Sequence, residues 1–147
     1  MLLTGTDHID AERAFARAAR GRRLHAALRR LRGRPAACSR LELFDERRLA
    51  RAARVERGVR EIPLDAIGGT LEPSRAEQFD RDFRPAGIAR TRWQRLWIAE
   101  HRGTPLPPIS VVRVGDQYVL RDGHHRVSVA KARGAHTIDA SVDGFAA

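Results

Sequence analysis

Asp122-Gly123-His124-His125-Arg126, followed by Val127 through Gly134, gathers the residues of this chain best suited to chemistry. A glycine where a strand passes into a helix lets the backbone approach a ligand closely. The first turn of that helix leaves several N–H groups without partners and carries partial positive charge, so it suits an anion, phosphate first. Arg126 follows the glycine by three residues and brings a planar fork that matches phosphate oxygens. It either takes phosphate or forms a structural bridge to Asp122. Asp122 has three open roles: helix cap, magnesium ligand, or acid or base toward a hydroxyl. His124 and His125 are adjacent and so point in different directions, one toward phosphate or a base edge while the other packs. No cysteine or other histidine stands at ligand spacing from them, so no metal site is expected.

The elements that must position these residues follow from spacing. Ile109 to Val114 and Gln117 to Leu120 flank Gly115-Asp116 and predict a hairpin that delivers Asp122. Beyond Gly134, Thr137 to Val142 alternates and predicts a last strand with Ile138, Ala140 and Val142 inward. Upstream, Thr91 and Gln94 predict a capping box, and Trp93, Leu96 and Trp97 a buried helical face closed by Gly103 and Pro105. Glu61 to Ile67 reads as a short edge strand because of Pro63, broken by Gly68-Gly69-Thr70. Leu71 to Pro85 reads as an irregular segment pinned to the core by Phe79 and Phe83. Two helices precede all of this. One runs from Asp10 to about Arg32 with a thin apolar stripe of Phe15, Ala18, Ala19, Leu24, Ala27, Leu28 and Leu31, closed by Gly33 and Pro35. The other runs from Asp45 as N-cap to Arg57, with Phe44 and Leu49 as a hydrophobic staple. The fold class is α+β: a small mixed sheet at 60–147 with a basic helical extension at 1–59.

Composition limits the partners. The 147 residues fit one compact domain with an extension. The single cysteine, Cys38, excludes an intrachain disulfide framework, and no apolar run approaches a membrane span. The first residues lack the basic and apolar regions of a signal peptide, so a cytoplasmic location is expected, with no membrane partner. The net charge of +10 sits mostly in residues 1–60, where sixteen arginines face seven acids. Such a face suits nucleic-acid backbone or an acidic protein surface. The bland reading is also open: 27 of the 28 basic residues are arginine, a bias that leaves many side chains only solvating helix surfaces.

The stretch from Pro107 to Val142 resembles the superfamily of the ParB N-terminal domain and sulfiredoxin, whose hallmark is a glycine-x-x-arginine turn with alanine four residues after the arginine. Here those positions are Gly123, Arg126 and Ala130, and the resemblance covers about residues 60 to 147. It implies the small ParB/sulfiredoxin-type sheet. In ParB proteins the turn usually reads Gly-Glu-Arg-Arg and binds nucleotide phosphates; in sulfiredoxins a nucleophilic cysteine precedes His-Arg. This chain has His124 in that slot, so without a thiolate there sulfinic-acid repair is not expected. The Asp-Gly-His-x-Arg version is similar to the superfamily's free-serine kinases and to unassigned ParB-like proteins.

By the same resemblance the segment after the first strand lies near the nucleotide. Gly69, Thr70 and Arg75 thereby join Gly123, His124, His125 and Arg126 as candidate phosphate contacts, and Glu72 joins Asp122 as a candidate acid–base residue. The expectation is a nucleotide- or phosphate-binding module, regulatory or associated with nucleic acid, taking CTP or ATP/ADP with Mg2+. One alternative is a small-molecule kinase of the free-serine type using ATP or ADP. Another is a non-specific nucleic-acid adaptor that contacts phosphates through Arg22, Arg23, Arg29 and Arg30. A homodimer is also open. In complete ParB proteins a helix-turn-helix domain follows; this chain ends at Ala147, so specific DNA reading by that route is not expected.

Overall fold

The structure is a computed structural model, and it describes residues 5–34, 40–45, 47 and 57–144. The chain runs from helix α1 (Gly5–Leu31) through strands β1 (Glu42–Leu43), β2 (Arg57–Pro63) and β3 (Ile67–Thr70) to a single-turn helix α2 (Pro73–Ala76). Helix α3 (Arg90–His101), strands β4 (Ile109–Val114) and β5 (Gln117–Asp122), helix α4 (His124–Ala132) and strand β6 (Thr137–Gly144) complete it. The six strands form one mixed sheet in the order β1-β3-β5-β4-β6-β2. Strand β4 pairs antiparallel with β5 across the Gly115-Asp116 turn, where Gly115 takes a φ of 60°, and parallel with β6 on its other side. The expected α+β class, hairpin and last strand are all present.

Alternation along the strands sends neighbouring side chains to opposite faces. Val111, Leu120, Ala140 and Val142 enter the main core with Phe15, Trp93 and Val127 from the three long helices. Val112 and Val119 point the other way, into a small cluster with Leu71 and Phe44. Helix α3 packs between α1 and α4. Phe15 meets the Trp93 ring edge-on at 5.5 Å, so α1 shares the core of the sheet.

Several expectations need correction. Helix α1 starts at Gly5 rather than Asp10, and its apolar residues do not form one buried stripe. Ala11, Phe15 and Ala19 are buried, but Leu24, Leu28 and Leu31 are 56%, 52% and 84% exposed. The Thr91–Gln94 capping box is absent. A 3₁₀ turn at Gly87–Ala89 runs straight into α3, so Thr91 already lies inside the helix, and Ala89 at the cap makes no side-chain bond. The segment expected as one strand from Glu61 is two, joined by a 3₁₀ turn at Leu64–Ala66, and Gly68 and Gly69 lie within β3 instead of ending it. A side chain at Gly69 would collide with the Glu42 carbonyl and the Phe44 ring, so glycine is what lets β1 pair there. Of the expected second helix, Asp45 Oδ1 accepts from the Arg47 N–H at 2.9 Å as an N-cap does. Arg57, its expected last residue, instead opens β2, and the remainder to Glu56, Leu49 included, lies outside the described residues, as does Cys38.

Candidate functional site

Strand β5 ends at Asp122, and Gly123 turns the chain into α4 with φ 105° and ψ 21°. L side chains avoid that region, and a Cβ at Gly123 would lie 2.8 Å from Ile109 Cβ and closer still to its Cγ2. Only glycine fits both constraints. The first residue of α4 to make a backbone bond is Val127, whose N–H reaches the Gly123 carbonyl at 3.0 Å. No side chain caps the helix. Asp122, an expected cap, is 69% exposed at its side chain and pairs with Arg126 Nη2 at 3.2 Å instead. The N–H groups of His124, His125 and Arg126 therefore head an open helix end with the dipole behind them.

That end lines a cleft of about 170 Å³, with Asp122 through Arg126 joined there by Arg75, Arg92, Leu96 and Pro107. Both histidines are held neutral. His124 falls from its ordinary 6.5 to about 4 through burial first, then the Arg75 charge and His125. His125 falls likewise to about 4 through burial, then Arg92 and Arg75. Two guanidinium groups thus face the helix end, and Asp122 is the carboxylate on the cleft that opposes them.

Each sequence-derived candidate has a definite place. His124 turns inward, with Nε2 2.6 Å from the Thr70 hydroxyl and its ring stacked 6.4 Å from Phe79. His125 meets the same Phe79 ring edge-on at 5.1 Å while lining the cleft. Both histidines are buried, both line the cleft and both touch Phe79, so the expected division into one that packs and one that faces a ligand is not sharp. Thr70 is fully buried, and its hydroxyl also accepts from the Glu72 N–H at 2.9 Å. It supports His124 from behind rather than lining the cleft. Gly69 lies on the β1 side against Phe44, and Glu72 is exposed at the start of α2; neither lines the cleft. Arg75 does.

Arg126 is mostly committed within the protein. Nη1 donates to the Pro107 carbonyl and, at 2.9 Å, to the Pro108 carbonyl, while Nη2 holds Asp122. Burial lowers its pKa and Asp122 opposes that. It pins the 107–108 segment beside the turn and presents only its remaining N–H groups to a ligand.

Arg92 escaped the sequence reading, as did the contact of Phe79 with both histidine rings. Arg92 follows the predicted helix start, and its i, i+4 relation to Leu96 would have put both on one side of α3, but in so arginine-rich a chain it carried no contrast. The four arginines proposed for nucleic acid differ in exposure. Arg23 and Arg30 are exposed, whereas Arg22 and Arg29 are half-buried, with Arg29 Nε bonded to His25 at 3.2 Å. Among the described residues no group of three or more histidines, cysteines or acids is placed to hold a metal ion.

The chain is an α+β protein with a mixed six-stranded sheet. Among solved structures it is similar to sulfiredoxin from Arabidopsis thaliana, with a TM-score of 0.41 and 22% identity over 58% of this chain and 83% of that one. It is also similar to a Pnob8-like ParB-N domain, with a TM-score of 0.42 and 15% identity over 64% of this chain and 32% of that one. No protein-family model and no curated protein matches the chain.

Proposed function

We propose that the cleft binds the phosphate end of a nucleotide, and that the protein is a ParB-like nucleotide- or phosphate-binding module. The observation that carries this is the uncapped start of α4 facing Arg75 and Arg92. Free N–H groups, a helix dipole and two guanidinium groups converging on one small space are the elements of a phosphate site. The cleft, at about 170 Å³, is below the roughly 300–1,000 Å³ of sites that enclose a whole drug-sized ligand, so it fits phosphate with the nucleoside outside it. Asp122 would join a magnesium ion brought by the phosphates, since Mg2+ commonly takes one or two carboxylates besides phosphate oxygens.

A second reading, a small-molecule kinase, draws on the exposure of Asp122 beside that space, where it could take a proton from an acceptor hydroxyl. Glu72 lies off the cleft and has no part in it.

The test is thermal unfolding with inorganic phosphate, CTP, ATP, ADP and GTP, each with and without magnesium. Ligand at about a hundred times its dissociation constant adds about 2.7 kcal/mol, roughly 5–10 °C for a chain of this length. The expected result is a rise with phosphate and at least one nucleotide that Arg92→Ala largely removes. Arg92 is exposed, so the variant keeps the fold. No rise with any of these ligands would end the reading. Release of ADP from ATP only when free serine is present would favour the kinase.

A further inference from the structure

Helix α1 has two apolar faces that point in opposite directions. At 100° per residue, Leu24 lies about 180° around the helix from Phe15, nine residues earlier. Phe15 is buried against Trp93, so the side bearing Leu24 points away from the domain. Leu28 and Leu31 follow at i+4 and i+7 on that outer side, and all three are more than half exposed. This side contributes nothing to the core, yet its spacing is that of a helix-pairing seam.

The charge around the seam says what would cover it. No carboxylate occurs between Glu12 and Glu42, and Arg20 and Arg32 edge the leucines, each four residues from one of them. Both are exposed, and neither has an ion-pair partner among the described residues. A second copy of this chain would bring the same arginines against them, and like charges at such spacing repel. Nucleic acid would match the arginines but offers leucine no apolar partner. A membrane surface calls for a wide apolar face, whereas three leucines here span only about 60° of the helix circumference, with Arg17 and Arg20 at or beside the arc. A single helix lying in register needs no wider stripe.

We infer that the outer side of α1, from Arg20 to Arg32, is a docking surface for an acidic amphipathic helix of a partner protein. The partner's apolar residues would interleave with Leu24, Leu28 and Leu31, and its carboxylates would meet Arg20 and Arg32.

The probe is a labelled synthetic helix of three heptads with leucine at the a and d positions and glutamate at the flanking e and g positions, followed by fluorescence anisotropy. A peptide of identical composition, shuffled so that its leucines share no face, serves as control. Saturable binding of the patterned peptide, about tenfold tighter than the shuffled one and weakened about tenfold by Leu24→Asn with Leu28→Asn, would support the inference. Both leucines are exposed, so the double variant should unfold at nearly the wild-type temperature. Equal affinity for both peptides, or binding indifferent to the leucine substitutions, would reduce the surface to charge alone and overturn it. So would tighter binding to phosphatidylglycerol vesicles or duplex DNA that requires the same leucines, or self-association through them in sedimentation.

Discussion

Gly123 is where geometry, stability and the proposed ligand site coincide. Its φ of 105° and the closeness of Ile109 mean that Gly123→Ala must both strain the backbone and displace a core side chain. A loss of about 2–5 kcal/mol in urea unfolding is expected, with phosphate-dependent stabilisation lost at the same time. The two histidines beside it give the molecule a pH dependence of definite sign. Each is lowered from 6.5 to about 4 in the folded state, so the unfolded chain binds more protons between those values. Their contribution is complete above pH 6.5 and is lost as pH falls toward 4. Bound anion opposes this at His125, because negative charge favours the protonated ring. Sulfate, whose own charge is constant over this range, should therefore stabilise more at pH 5.5 than at pH 7.5, and His125→Gln should flatten the difference. Equal stabilisation at both pH values would place the anion away from His125. The glycine turn and the histidine pair at the head of α4 were legible in the sequence. That Asp122 would pair with Arg126 and leave α4 uncapped was not, because cap and bridge are equally available to an aspartate in that position.

At the scale of elements, the segment from Leu71 to Pro85 does more for the site than its polar composition suggests. Asp80 is buried and organises the turn after Phe79, its Oδ1 accepting from Asp82 N–H at 2.9 Å and Arg84 N–H at 2.8 Å. That turn holds Phe79 and Phe83 in the core, with Phe79 against both histidine rings. Phe79→Ala should cost about 3–5 kcal/mol and loosen both rings at once. In NMR titration the histidines should then move back toward 6.5, and unchanged values would mean that burial there is supplied by other neighbours. The sequence showed that Phe79 and Phe83 would pin this segment but not what they would pin it to, since no local pattern links residue 79 with residue 124. The hairpin and last strand were legible because their turn residues and alternation are local signals. The break of the Glu61–Ile67 segment, and the pairing of β1 with β3 through Gly69, depend on partners distant in sequence, and those were not. Arg92 reaches the cleft for the same kind of reason: the tertiary fold brings α3 against the start of α4.

At the scale of the whole molecule, the basic N-terminal region is two things in one helix. Its first half is core and its second half is surface, so a single hydrophobic stripe drawn across α1 misplaces the leucines by half a turn. Substitutions along that one element should therefore separate sharply. Phe15→Ala removes a fully buried ring from the edge of Trp93 and should cost about 3–5 kcal/mol, whereas Leu28→Ala should stay within about 0.5 kcal/mol. Because Phe15 shares one core with Trp93, Leu120 and Val127, the loss should appear in the unfolding of the sheet as well as of the helix. Urea transitions followed by tryptophan fluorescence and by far-ultraviolet circular dichroism should shift together in Phe15→Ala, with one midpoint for both probes. If the helix were an appendage that folds apart from the sheet, Phe15→Ala would lower the early loss of helical signal and leave the tryptophan transition in place. A common shift would instead make α1 part of the scaffold that positions α3, and through α3 the guanidinium of Arg92 that faces the head of α4. Weakening the Phe15 contact should then also reduce phosphate stabilisation, although Phe15 does not line the cleft.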